Sequence, residues 1–172
     1  MTKDSKKDYQ TIIHPLKPFY KKDSKILILG SFPSVKTREY GFFYGHPQNR
    51  FWPLMEKLFN EALSSNIEER RKFLMNHKIA VYDSIYQCDI VGSSDASIKN
   101  VIPSNLKMIF DKASIQQVFC NGTTSYKYYQ KYHAKNMGIR GIKLSSTSPA
   151  NARFRLDDLF LEWKKIITYL DE

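Results

Sequence analysis

Only two of the 172 residues are cysteine, Cys88 and Cys120. That pair excludes a disulfide framework, a four-thiolate zinc site and a cysteine-bound iron–sulfur cluster. The four histidines (His14, His46, His77 and His133) show no ligand spacing with one another or with the cysteines, so no metal is expected. No apolar run approaches the roughly 20 residues that span a bilayer. The opening stretch, MTKDSKKDYQ, is positively charged with no apolar segment behind it, and does not read as a signal peptide. The glycines supply neither a dinucleotide-binding turn nor a P-loop, and there is no Gly-x-Ser-x-Gly elbow for a serine hydrolase. Acidic residues are scarce, 17 against 27 Lys and Arg, which leaves a net charge of +10. The expectation is a soluble, cytoplasmic protein that needs no cofactor and no membrane.

What is present suits one domain with a real core. Hydrophobic residues make up 42% and charged residues 26%, a globular balance, and the length is short for two ordinary domains. The positive charge points to a polyanion, with nucleic acid the commonest, or to no more than a solvated lysine-rich surface. Residues 1–24 carry six lysines against three aspartates and are broken by Pro15 and Pro18. They read as a basic N-terminal arm, or as a strap held to the core through Phe19 and Tyr20. Residues 25–172 read as the single domain.

Ile26–Leu29 is a short continuous apolar run of the kind that reads as a strand buried on both faces, Ile79–Tyr82 is similar, and Val118–Cys120 and Ile142–Leu144 complete four candidate strands. Between them lie helical periodicities. Phe51, Leu54, Met55, Leu58, Phe59 and Ala62 follow the one-face rule, as do Leu156, Leu159, Phe160, Trp163, Ile167 and Leu170. Shorter helices are expected over 67–76, 103–111 and 123–131. Strand and helix in alternation predict an α/β fold, a three-layer α/β/α sandwich with a central, mainly parallel four-stranded sheet. Ligands in such folds sit at the carboxyl ends of the strands.

The segments following the first and last of these strands carry the chemistry. Gly30, Ser31 and Phe32 open the first. Tyr40–Trp52, YGFFYGHPQNRFW, packs six aromatics beside two glycines, His46, Asn49 and Arg50, which suits a pocket for a planar ligand. Asn49 has an ordinary reading as a helix cap, but Pro53 would then fall where a helical amide is required. The helix is therefore expected to start after Asn49, which frees its side-chain amide for other work. His46, followed by proline, is more simply a structural loop residue. Leu144–Phe154, LSSTSPANARF, reads either as a strand-to-helix turn or as a phosphate-gripping one, with Arg153 adding charge.

Together these residues resemble the uracil-DNA glycosylase superfamily. Gly30–Ser34 with Gly41–Trp52, then Ser145–Ala152, are similar to its two active-site motifs, and the hypoxanthine-DNA (DNA-deoxyinosine) glycosylase branch is the nearest match. Tyr82–Ile85, Ser94–Asn100 and Phe119–Gly122 resemble that branch as well, so the likeness runs from about Leu27 to the last helix. It implies a monofunctional enzyme that flips a deaminated base out of double-stranded DNA and cleaves its N-glycosidic bond with water. By position, Tyr44 resembles the base-stacking aromatic, with Phe32 as a further wall. Many members carry Asn or Asp two residues after the first-motif glycine, where this chain has Phe32. The water-positioning role then matches Asn49. Gly30, Ser31, His46, Asp83 and Asn121 fall in the base pocket, Asp83 and Asn121 having plainer readings as a capping and a turn residue. Ser146, Thr147 and Ser148 would touch phosphates or the base edge, and Asn151 and Arg153 would reach into the duplex. The net charge becomes a DNA-tracking surface through Lys36, Arg38, Arg50, Lys143 and Arg153. A monomer is expected. Hypoxanthine is the expected base; the alternatives are a uracil or mismatch-directed glycosylase and a catalytically silent DNA-binding member.

Overall fold

The computed structural model describes residues 8–171. Four strands form the central sheet: β2 (Ile26–Gly30), β3 (Ile79–Asp83), β6 (Gln117–Asn121) and β7 (Ile142–Leu144). They are all parallel, in the order β3-β2-β6-β7. The four candidate strands of the sequence are these four strands. Ile26, Leu27, Ile28 and Leu29 have no exposed surface, and each contributes about 1.5–3 kcal/mol through the water it leaves.

Helices cover the sheet, as the alternation predicts. Helix α1 (Val35–Tyr40) begins at Ser34, whose hydroxyl accepts from the Thr37 amide. Helix α2 spans Phe51–Phe59 and α3 spans Ile67–Asn76, packed on β3. Helix α4 (Lys107–Lys112) is followed by α5 (Thr123–Tyr132), which packs on β6 and β7, and by the short α6 (Ala134–Met137). The C-terminal periodicity is two helices, α7 (Leu156–Trp163) against α2, then α8 (Lys165–Thr168).

A second sheet was not foreseen. Strands β1 (Gln10–Ile13), β4 (Ile85–Ile90) and β5 (Lys99–Pro103) form an antiparallel sheet in the order β1-β4-β5. It grows directly from the first, because only Ser84 separates β3 from β4. Ser84 is fully buried and held on several sides: its amide donates to Gly30 O, and its carbonyl accepts from the Ser104 amide and His133 Nε2. The helix expected over 103–111 starts only at Lys107, since Pro103 closes β5.

Of the segment read as a basic arm, Lys3, Lys6 and Lys7 lie outside the described residues. From Gln10 onward the chain is built into the molecule. After β1 it runs along the edge of the parallel sheet, where Phe19 and Val81 exchange backbone hydrogen bonds of 3.0 and 2.9 Å. Phe19 itself is buried. This strap covers the open edge of β3, a row of backbone groups that would otherwise invite another chain.

Candidate active site

The carboxyl ends of the four parallel strands open into one cleft of about 960 Å³. The residues assigned to catalysis and to the base pocket line it: Gly30, Ser31 and Phe32 after β2; Tyr44, His46 and Asn49 from the aromatic loop; Asp83 and Asn121 at the ends of β3 and β6. Ser146, Thr147, Ser148, Asn151 and Arg153 line it from the loop after β7.

Tyr44 stacks on Phe51 with ring centroids 4.0 Å apart and planes 22° from parallel. One face of the Tyr44 ring is thus backed by the core. Its backbone is left-handed, φ +56°, a costly conformation for a residue with a side chain. Its hydroxyl is sealed from solvent and has no hydrogen-bond partner among the described residues. Burial pushes the phenol far above its ordinary range, and the nearby Asp83 charge adds to the shift. Phe32 is buried in a small apolar cluster with Ile85, Cys88, Ile90 and Tyr128.

Asn49 stands just ahead of α2. The helix begins at Phe51, so Pro53 is its third residue and has no helical bond to lose. The side-chain amide is half engaged: Oδ1 accepts from the Phe51 amide at 2.9 Å. Nδ2 has no protein partner among the described residues. His46 serves its own turn, with Nδ1 accepting from the Gln48 amide and its carbonyl from the Asn49 amide.

Asp83 does not cap anything. Its Oδ2 lies 2.6 Å from Nε2 of His14, which the strap brings in from 69 residues away. The Leu16 amide donates to His14 Nδ1 at 3.1 Å, so Nδ1 is bare and Nε2 holds the proton it gives to Asp83. Gly30 leaves room for this carboxylate: a Cβ at that position would overlap Asp83 Oδ1 and displace it. Asp95 is a second carboxylate at the rim, turned toward the Ser31 hydroxyl, which donates to it at 3.1 Å. Loss of water around its carboxyl pushes its pKa up, the Asp83 charge adds, and the hydroxyls of Ser31 and Thr124 oppose.

The loop after β7 departs most from its expected role. Thr147 is fully buried: its amide donates to Asn121 Oδ1 and its hydroxyl accepts from Asn121 Nδ2, both at 3.0 Å. Thr147 therefore has no side-chain surface for a phosphate, and Asn121 spends its amide on the loop. Asn151 turns inward as well, donating from Nδ2 to Ser146 O rather than reaching outward. Gly122, at φ +98°, lets Ser146 come close to the start of α5, where a Cβ would stand 3.1 Å from that of Ser146. Arg50, expected on the DNA-tracking surface, spends its guanidinium within the protein. Its guanidinium donates to the carbonyls of Thr147, Ser148, Asn151 and Phe154, tying this loop to the one that carries Asn49. Of the basic residues named for DNA, Lys36, Lys143 and Arg153 line the cleft and are exposed, whereas Arg38 is outside its lining.

His14 and Asp95 are the site residues that sequence reasoning missed. Asp95 lies inside a stretch whose likeness was noted. His14 had no signal, since nothing local marks a histidine before proline as a partner for Asp83. Among the described residues no group of three or more His, Cys, Asp or Glu could hold a metal, and no helix is long and apolar enough to cross a membrane.

Comparison with known proteins gives this arrangement its context. The family model of the uracil DNA glycosylase superfamily matches residues 17–169. A hypoxanthine DNA glycosylase of Methanosarcina barkeri is 33% identical over 141 residues, covering 79% of this chain and 86% of that one. Its counterpart in Methanosarcina acetivorans is 29% identical over 134 residues, covering 77% and 84%. The solution NMR structure of a candidate uracil DNA glycosylase from M. acetivorans superposes with a TM-score of 0.78 at 25% identity, over 94% of this chain and all of that one.

Proposed function

Because this chain belongs to the uracil DNA glycosylase superfamily, and is therefore a DNA glycosylase, we propose that it excises hypoxanthine from deoxyinosine in double-stranded DNA. The observation that carries the reading is the pairing, in one cleft, of a stacked Tyr44 platform with an Asn49 amide whose Nδ2 is uncommitted. The relative at 33% identity, a hypoxanthine DNA glycosylase, supports that choice of base. The solved neighbour favours uracil as the second reading.

The chemistry asked of the cleft follows from the bond. The target base must leave the stack, at a cost of a few kcal/mol, and the aromatic platform offsets part of it. The glycosidic bond then breaks toward a cationic sugar and an anionic base, so orientation and charge matter more than a strong nucleophile. Asn49, held from one side by Phe51, orients the water through Nδ2 without titrating. Ser146, Ser148 and Arg153 meet the backbone, and Lys36 and Lys143 extend the track.

The test is single-turnover incubation with duplexes carrying deoxyinosine, deoxyuridine, deoxyxanthosine or a thymine mismatch, with alkaline cleavage at the abasic sites. Release of hypoxanthine fastest is expected. Faster uracil release would replace this reading with the second, and no release from any duplex would leave only a DNA-binding protein.

A further inference from the structure

We infer that Asp83 is the base that takes the proton from the attacking water, and that His14 is the positioning residue that holds its carboxylate for the task. The inference rests on the excision chemistry proposed above. Water attack on the sugar releases a proton, and an amide such as Asn49 cannot accept it. Two carboxylates line the cleft among the described residues, Asp83 and Asp95. They differ in what their oxygens are doing. Both oxygens of Asp95 accept from the Ser31 hydroxyl at the exposed rim. Asp83 commits one oxygen only. Oδ2 accepts from His14 Nε2, and Oδ1, over Gly30, makes no protein hydrogen bond among the described residues. The His14 side chain is fully buried while that of Asp83 keeps 7% of its surface, so what remains open on this pair belongs to the acid.

The histidine cannot relay the proton onward. Nε2 already holds one, and Nδ1 is occupied by the Leu16 amide. The rings of Phe32, Phe43 and Tyr82 close around it. Its part is to hold the carboxylate in one rotamer through the bond to Oδ2. Register does the rest: Asp83 pairs with Gly30 across β2 and β3, which sets the acid beside the turn that carries the apolar Phe32.

The step balances without a co-reactant. A lone pair of water forms the bond to C1′, and the pair of the C1′–N bond leaves with the base. One water proton passes to Asp83 Oδ1. It then goes to the departing anionic base or to solvent, which restores the carboxylate.

The experiment is a pH profile of single-turnover excision for the intact chain and three variants. The groups facing Asp83 that could shape that profile are His14, Tyr44, Tyr82 and Asp95. Asp83→Asn should lose about 10²-fold or more in rate and lose the acid limb of the profile, with affinity for an abasic duplex kept. His14→Leu removes the donor to Oδ2 and should slow excision with affinity for an abasic duplex kept, while His14→Gln, which still offers an N–H, should recover much of that rate. Asp95→Asn should retain the limb. Thermal melts check folding, and Asp83→Ala with added formate provides an independent arm in which recovered rate supports the assignment. The inference is overturned if Asp83→Asn keeps both its rate and its acid limb, or if Asp95→Asn is the variant that loses the limb. An intact chain that excises none of the four bases overturns the proposed function first, and this inference with it.

Discussion

Asn121 and Thr147 are joined by two hydrogen bonds that run in opposite directions, amide to carbonyl oxygen and amide to hydroxyl, each 3.0 Å and each buried. The pair welds the end of β6 to the loop after β7. Thr147→Val keeps the shape and removes the hydroxyl, leaving Asn121 Nδ2 buried without a partner. The expected cost is about 1–3 kcal/mol, read as a lower urea midpoint at unchanged slope. A midpoint equal to that of the parent chain would mean the amide finds another acceptor.

Arg50 and Arg153 should behave as different kinds of cation. Arg50 holds four loop carbonyls, so Arg50→Lys is expected to cost about 1–3 kcal/mol of stability without changing the salt dependence of DNA binding. Arg153→Ala, or Lys143→Ala, should leave stability nearly unchanged. Each should lower the slope of log affinity against log salt by about 0.9 if it neutralises one phosphate. Titrations at several salt concentrations separate the two classes.

Asn49→Ala separates rate from grip. Loss of the orienting amide is expected to slow single-turnover excision by about 10²-fold. Affinity for undamaged duplex should hold, since the proposed phosphate contacts lie elsewhere. The side chain also accepts from the Phe51 amide, so a drop of about 1 kcal/mol in stability should accompany the change. An unaltered excision rate would move the catalytic role to another group.

Tyr44→Phe removes a hydroxyl that is sealed and unpartnered, and keeps the ring on Phe51. Stability should stay level or rise by about 1 kcal/mol. Excision should remain within a few-fold if the ring acts as a platform. A large loss of rate with improved stability would show that the hydroxyl itself works on the base.

His133 sets an acid limit on the fold. Burial lowers its pKa below the ordinary 6.5, and its bond to the Ser84 carbonyl opposes that only in part. The unfolded chain therefore takes up a proton on this residue before the folded one does. Stability attributed to it is intact above pH 6.5 and falls as the pH drops through that value toward the lower folded pKa. Melting temperatures between pH 5 and 7.5 should fall on the acid side, and less steeply for His133→Gln.

The parallel sheet was legible because β2, β3 and β6 each carry an unbroken apolar run at their centre: a strand covered on both faces needs no alternation. The second sheet was not, for a related reason. Strand β5, KNVIP, is largely exposed and carries little apolar signal, while β4 pairs with β1, whose residues lie more than seventy positions earlier. The cleft was legible because its residues come in contiguous loops. How those side chains are spent was hidden. Thr147, Asn151 and Arg50 look like surface polar groups in a short window, and only the pairing of distant loops turns them inward.

The strap also bears on where this protein can be cut. Residues 10–24 supply both the partner for the edge of β3 and the histidine beside Asp83. A fragment begun at Lys25 would look like a tidy domain on the sequence. It would bare the Val81 backbone groups and leave the Asp83 carboxylate without its donor. Edge-to-edge aggregation and loss of excision are expected together in that fragment. The cover of the β3 edge and the donor to Asp83 come from the same short stretch of chain.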